Sequence, residues 1–172
     1  TGVKTCALPI SFINAPAQPV VERLVEDIRR FRPQVVLTFE PGGLYGHPDH
    51  IRVNRITVAA FHAAGDASQY TDLGPAPWQP QKLYYSAYPR SYILRRYEIM
   101  RSMGAETPLD RPDFDPNKVG TPDEQITTRV EIRPYLARKM AALRCHRSQV
   151  PPDWWYLRIP SEVLYEQFSG EF

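Results

Sequence analysis

A chain of 172 residues with a net charge of +2, 42% hydrophobic and 23% charged residues, is long enough to bury a core. This composition excludes a disordered chain or a strongly basic nucleic-acid-coating protein. It holds no apolar run long enough to span a bilayer and no pattern of a secretory leader.

The first ten residues, Thr1 to Ile10, resemble translated read-through of a sequencing-library adapter. They are therefore set apart from the fold, and residues 11–172 are expected to form a single domain lacking its true start. Cys6 and Cys145 are too few and too far apart for a disulfide framework, which points to a reduced, cytoplasmic compartment.

From Pro19 to Arg32 the apolar residues Val20, Val21, Leu24, Val25, Ile28 and Phe31 recur at helical spacing, with Glu22, Glu26, Asp27, Arg29 and Arg30 on the remaining face. Pro33 ends that helix. Val35 to Phe39 is a continuous β-branched and aromatic run, the pattern of a strand buried on both faces of a parallel sheet. Glu40 to His50 follows as a loop of three glycines, two prolines and two histidines. In an open α/β sheet ligands bind at the loop after a strand's carboxyl end.

Ile51 to about Ala64 reads as a helix closed by Gly65, and Ala67 to Pro80 as an irregular connection. Lys82 to Tyr88 is the next expected strand, and Ser91 to Met103 a helix that Ser91 would cap. Gly104 to Glu124 is a proline-rich loop long enough to act as a lid, and Ile126 to Ile132 alternates like an edge strand. A helix from Pro134 to Arg147 and a short one from Ser161 to Phe168 complete the chain. Helix, strand, loop, helix, strand is the outline of a Rossmann-like α/β fold with a mostly parallel sheet and helices on both faces, here missing its N-terminal strand or strands.

The chemistry concentrates in Tyr45-Gly46-His47-Pro48-Asp49-His50. Neutral imidazole is a common zinc ligand, a neighbouring carboxylate can fix its tautomer or hold it protonated, and a tyrosine hydroxyl can donate to an oxyanion. Together these are parts of a metal-assisted hydrolase, although two histidines three residues apart also recur by chance. His62 reads better as a surface residue, and Trp154, Trp155 and Tyr156 as packing rather than a sugar platform. Asp110, Asp113 and Asp115 lack the rest of a calcium loop.

The segment Arg32 to Phe39 with Tyr45 to His50 resembles the second signature of the LmbE-like family, zinc-dependent N-deacetylases related to the N-acetylglucosaminyl-phosphatidylinositol deacetylase (PIG-L). Gly120-Thr121-Pro122-Asp123, Tyr135 to Lys139 and Cys145 to Gln149 are similar too. The resemblance implies removal of acetyl from an N-acetylglucosamine-type conjugate, with His50 a zinc ligand, His47 the histidine that stabilises the tetrahedral intermediate, Tyr45 assisting, and Asp49 keeping His47 protonated. It makes His146 and Gln149 weak candidates for substrate binding. The family's other motif, His-Pro-Asp-Asp, is not found here, so the zinc site is expected to be incomplete and this chain inactive alone. The expected partner is a small-molecule N-acetyl sugar conjugate, with no nucleic acid and no membrane segment, and with a homo-oligomer left open. Two other readings remain: a non-catalytic domain binding carbohydrate or phosphate through backbone N–H groups, and a metal-dependent amidohydrolase acting on a non-sugar amide.

Overall fold

A computed structural model describes residues 12–172. The expectation for the first ten residues lies outside the described part. The chain divides into two compact units at Ala87 and Tyr88.

In the first unit, helix α1 (Ala17–Phe31) buries Val21, Val25 and Ile28, the expected apolar stripe. Arg32 closes it in a left-handed conformation, its N–H donating to the Ile28 carbonyl at 2.9 Å. Strand β1 (Val35–Phe39) leads into a short helical turn, α2 (Gly43–Gly46), and then helix α3 (Pro48–Gly65). Strand β2 (Lys82–Ser86) returns parallel to β1, pairing Val35 with Lys82 through Phe39 with Ser86. The core is the seam between α1 and α3. Val21, Val25 and Ile28 meet Ile56, Ala60, Ala63 and Ala64, and the three alanines suit a close helix approach.

The α/β class with a parallel sheet and flanking helices is borne out, but three local expectations change. Helix α3 starts at Pro48 rather than Ile51, because proline suits a first helical position and His47 can cap it. Strand β1 is not buried on both faces: Thr38 is buried, while Val35 and Leu37 are 48% and 67% exposed. Two strands make one covered face, and no described element of this unit lies over the other. Arg29, expected on the solvated face of α1, is buried at 3% exposure. Its guanidinium donates to five carbonyls, those of Ala63, Ala64, Asp66, Gln69 and Tyr70, at 2.9 to 3.3 Å. Those carbonyls are the last turn of α3 and the chain just after it; four of them, those of Ala63, Ala64, Asp66 and Tyr70, also accept a backbone N–H, so Arg29 adds a second bond there and ties the helix end to the turn that follows. Asp66 sits below its ordinary pKa chiefly because the Ser68 hydroxyl donates to it, with Arg29 a smaller contributor.

The second unit is organised on helices α4 (Arg90–Ser102), α5 (Leu136–Cys145) and α6 (Ser161–Gln167), with Leu136, Met140, Tyr156, Ile159, Leu164 and Phe168 as its core. The strand expected over Ile126 to Ile132 shrinks to β3 (Val130–Glu131), since its antiparallel partner β4 (Gly170–Glu171) offers only two residues. Burial of Tyr156, with Trp154 and Trp155 packed against the same core, supports the packing reading of that aromatic cluster. Asp110 accepts from the Thr107 N–H and hydroxyl, and Asp115 from the Asn117 N–H, so both serve turns.

The cap of α4 comes from a distant residue. Ser91 was expected to cap the helix, yet it lies inside the first turn, and both its N–H and its hydroxyl donate to Asp123. The Thr121 N–H donates to the Tyr88 carbonyl and the Arg90 N–H to the Thr121 carbonyl, each at 2.8 Å. Gly120 allows this clasp: it has φ +61°, and a Cβ there would stand 2.6 Å from the Tyr88 carbonyl oxygen. The Ser91 hydroxyl first, and its N–H second, hold Asp123 below its ordinary 3.8. A depressed folded-state pKa stabilises above the unfolded value and loses that contribution as pH falls through the folded one. Urea midpoints of the wild-type chain should therefore drop below about pH 4 by more than those of Asp123→Asn. Identical acid sensitivity in the two proteins would remove Asp123 as the cause.

Candidate functional site

The candidate site lies wholly in the first unit, at the carboxyl end of β1. Phe39 ends the strand, and its carbonyl accepts from the Asn54 side chain of α3 at 2.7 Å, which fixes the helix against the strand end. Asn54 is 5% exposed, a buried polar residue with its partner in place. Between them the loop passes three times through positive φ, at Gly43 (φ 69°), Leu44 (φ 65°) and Gly46 (φ 79°). Gly43 could carry no side chain, since a Cβ would meet Ile51 Cγ1 at 2.8 Å.

The rings of the expected site residues come together here. The His50 imidazole lies parallel to Phe39 at 4.0 Å between centroids and 8° between planes, and His47 stacks near it at 4.6 Å and 28°. Tyr45 stands edge-on to both histidines, 5.8 Å from His47 and 5.4 Å from His50, and is 74% exposed.

Hydrogen bonds assign the imidazole nitrogens. His50 Nδ1 is 3.3 Å from the Gly43 carbonyl oxygen, which can only accept, so Nδ1 carries the proton and Nε2 keeps a lone pair. That is the arrangement in which a histidine serves as a metal ligand through Nε2. His47 Nδ1 accepts the Asp49 N–H at 3.2 Å, capping α3, so the neutral ring carries its proton on Nε2. The Asp49 carboxylate receives the Ile13 N–H at 2.9 Å and lies in the first turn of α3, where a negative charge is favoured. This bond to His47 comes from the Asp49 backbone, and charging His47 at Nδ1 would open the cap.

The loop therefore offers two donors, His47 Nε2–H and the Tyr45 hydroxyl, close to one lone pair, His50 Nε2. That set can polarise a carbonyl and stabilise an oxyanion. Among the described residues no group of three or more His, Cys, Asp or Glu side chains is placed to share a metal ion. His50 fits one ligand position, and the described residues do not complete a catalytic zinc site, which takes three protein ligands.

His62, as expected, is exposed, edge-on to Phe61. His146 and Gln149 belong to the second unit, where both are exposed and the His146 carbonyl accepts the Gln149 N–H at 2.9 Å. Sequence reasoning passed over Phe39, Asn54 and Glu40. An asparagine within the apolar recurrence of α3 was a usable signal for a buried polar contact; a ring-on-ring stack had none.

A family model described as PIG-L, GlcNAc-PI de-N-acetylase, matches residues 5–61. A protein of Thermomonospora curvata named 1D-myo-inositol 2-acetamido-2-deoxy-alpha-D-glucopyranoside deacetylase is 41% identical over 167 residues, 95% of this chain and 54% of that protein. A protein of the same name from Thermobispora bispora is 40% identical over 172 residues, 97% of this chain and 55% of that protein. The chain spans about half the length of the curated relatives it matches. A solved structure of a conserved protein from Thermus thermophilus overlaps 76% of this chain and 43% of its own, with 23% identity and a TM-score of 0.48.

Proposed function

The chain belongs to the LmbE-like, PIG-L family of GlcNAc-PI de-N-acetylases, and from that premise we propose that its Tyr45–His50 loop serves hydrolysis of the acetamido group of an N-acetylglucosamine-type conjugate. The reaction adds water across the amide C–N bond and yields acetate and a free amine. As water adds, the acetyl carbonyl oxygen gains negative charge, and His47 Nε2–H with the Tyr45 hydroxyl donates to it. The Asp49 N–H holds the His47 ring in the tautomer that keeps this donor. Phe39 and the Gly43 carbonyl hold the His50 ring.

The observation that carries the reading is the His50 Nδ1–H to Gly43 carbonyl bond, which leaves Nε2 as an electron-pair donor next to one imidazole and one hydroxyl donor. The family resemblance assigns His50 to zinc, which would lower the pKa of a bound water and polarise the carbonyl. The described residues supply this one ligand position.

The assay, run on a protein of the relatives' full length that carries this loop, is release of primary amine from 1D-myo-inositol 2-acetamido-2-deoxy-α-D-glucopyranoside, followed by amine derivatisation with and without added zinc. Amine release that disappears in Tyr45→Phe or falls by about 10²-fold is expected. Saturable binding with no amine released would overturn the hydrolase reading in favour of a binding domain. Faster release from simple non-sugar acetamides would move the substrate class.

A further inference from the structure

Glu40 follows β1 directly, and its carboxylate receives two amides of the loop. Oε2 accepts the Gly42 N–H, and Oε1 accepts the Leu44 N–H at 2.6 Å. Leu44 has φ 65° and ψ −60°, the positive-φ γ-turn, which a residue with a side chain adopts only where its surroundings hold it there. The strained residue stands between the two groups that matter to the site. Gly43 before it supplies the carbonyl that binds His50 Nδ1, and Tyr45 after it supplies the exposed hydroxyl.

We propose that Glu40 is a positioning residue of this site: by tying down the Gly42 and Leu44 amides, its carboxylate holds the strained turn that sets the places of Tyr45 and of the Gly43 carbonyl, and through that carbonyl orients the His50 ring. The proposal rests on the deacetylase reading for its kinetic consequence only. A carboxylate is needed rather than any acceptor, because the two N–H groups go to different oxygens. Glutamine has one oxygen and would set an NH₂ donor against the other N–H. A glutamate that merely ended the strand in solvent would contact neither amide.

The test is Glu40→Gln, alone and combined with Leu44→Gly. Glycine adopts positive φ without strain, so the second substitution removes the need for the tie. In ¹⁵N-labelled wild-type chain the Gly42 and Leu44 amides should be protected and His50 should show the Nδ1–H tautomer. Glu40→Gln should speed exchange at those amides about tenfold, the loss of one hydrogen bond, and mix the His50 tautomers. Glu40→Gln/Leu44→Gly should recover the His50 signature. In deacetylation, Glu40→Gln should lower kcat about 10- to 100-fold with KM little changed, and the double variant should regain most of it.

Unchanged exchange and unchanged His50 shifts in Glu40→Gln would overturn the proposal, as would a kcat loss that Leu44→Gly does not relieve. Should Glu40→Gln lower the melting point of the whole unit, Glu40→Asp keeps the charge while shortening the reach, and is read at the Leu44 amide in the same way. Absence of deacetylation in a protein of the relatives' full length would reject the functional reading and leave the exchange and tautomer measurements on this chain to decide the role of Glu40.

Discussion

Arg29→Met should destabilise the first unit by about 3 kcal/mol or more, because it removes a buried guanidinium whose hydrogen bonds, each with a charged donor, are worth about 1.5 to 3 kcal/mol. The side chain is 3% exposed and its five hydrogen bonds all end on backbone carbonyls. Methionine fills much of the volume but donates nothing; the Ala63, Ala64, Asp66 and Tyr70 carbonyls keep a backbone N–H, so the loss is that of the charged donor's bonds rather than of orphaned acceptors. Lysine is no substitute, because three donors on a single nitrogen cannot span carbonyls from Ala63 to Tyr70. Charge alone does not account for the size of the effect. Arg23 and Arg30 pair with Glu26 and Asp27 on the exposed side of the same helix, where such pairs are worth about 0 to 1 kcal/mol. Chemical denaturation gives the number, and amide exchange after Gly65 gives the place. A loss under about 1 kcal/mol in Arg29→Met would mean that the carbonyls are solvated without it.

Removal of the His47 ring should reduce kcat by about 10²- to 10³-fold, the effect of losing one oxyanion donor, with a smaller change in KM. Alanine is the wrong probe, since His47 also caps α3 and loss of a cap costs about 1 kcal/mol. Asparagine is a preferred cap and lacks the Nε2–H, so His47→Asn separates the two roles. A stable His47→Asn with wild-type kcat would remove the residue from the reaction. His50→Ala should be more damaging still in a zinc-supplemented assay, because it deletes the lone pair assigned to the metal. Retained zinc-dependent turnover in that variant would reject the assignment.

The candidate site was legible to the extent that its chemistry is carried by residue types in one short stretch. Tyr45, His47, Asp49 and His50 occur within six residues, after an apolar run that could only be a buried strand or part of a helix, and the structure brings the three rings together. The roles within the stretch were less legible. Pro48 marks the start of α3 by a local rule, and placing Asp49 and His50 inside the helix brings the Asp49 amide to His47 Nδ1, a backbone contact that residue types alone do not announce. The same limit appears at α4, where Ser91 looked like a cap by spacing and Asp123, 32 residues later, does the work.

Periodicity, turn chemistry and residue type were enough to determine the order of the longer helices and of β1 and β2, the parallel α/β class and the loop that holds the chemistry, because each depends on neighbours within a few positions. Only the tertiary structure decided that Arg29 lies inside, that Val35 and Leu37 of β1 are exposed, that His50 is stacked on Phe39 and bonded to Gly43, and that Glu40 accepts the Gly42 and Leu44 amides. Those contacts join atoms whose closeness is set by packing of α1, β1 and α3, and a side chain's partner across a fold is not encoded in its spacing along the chain.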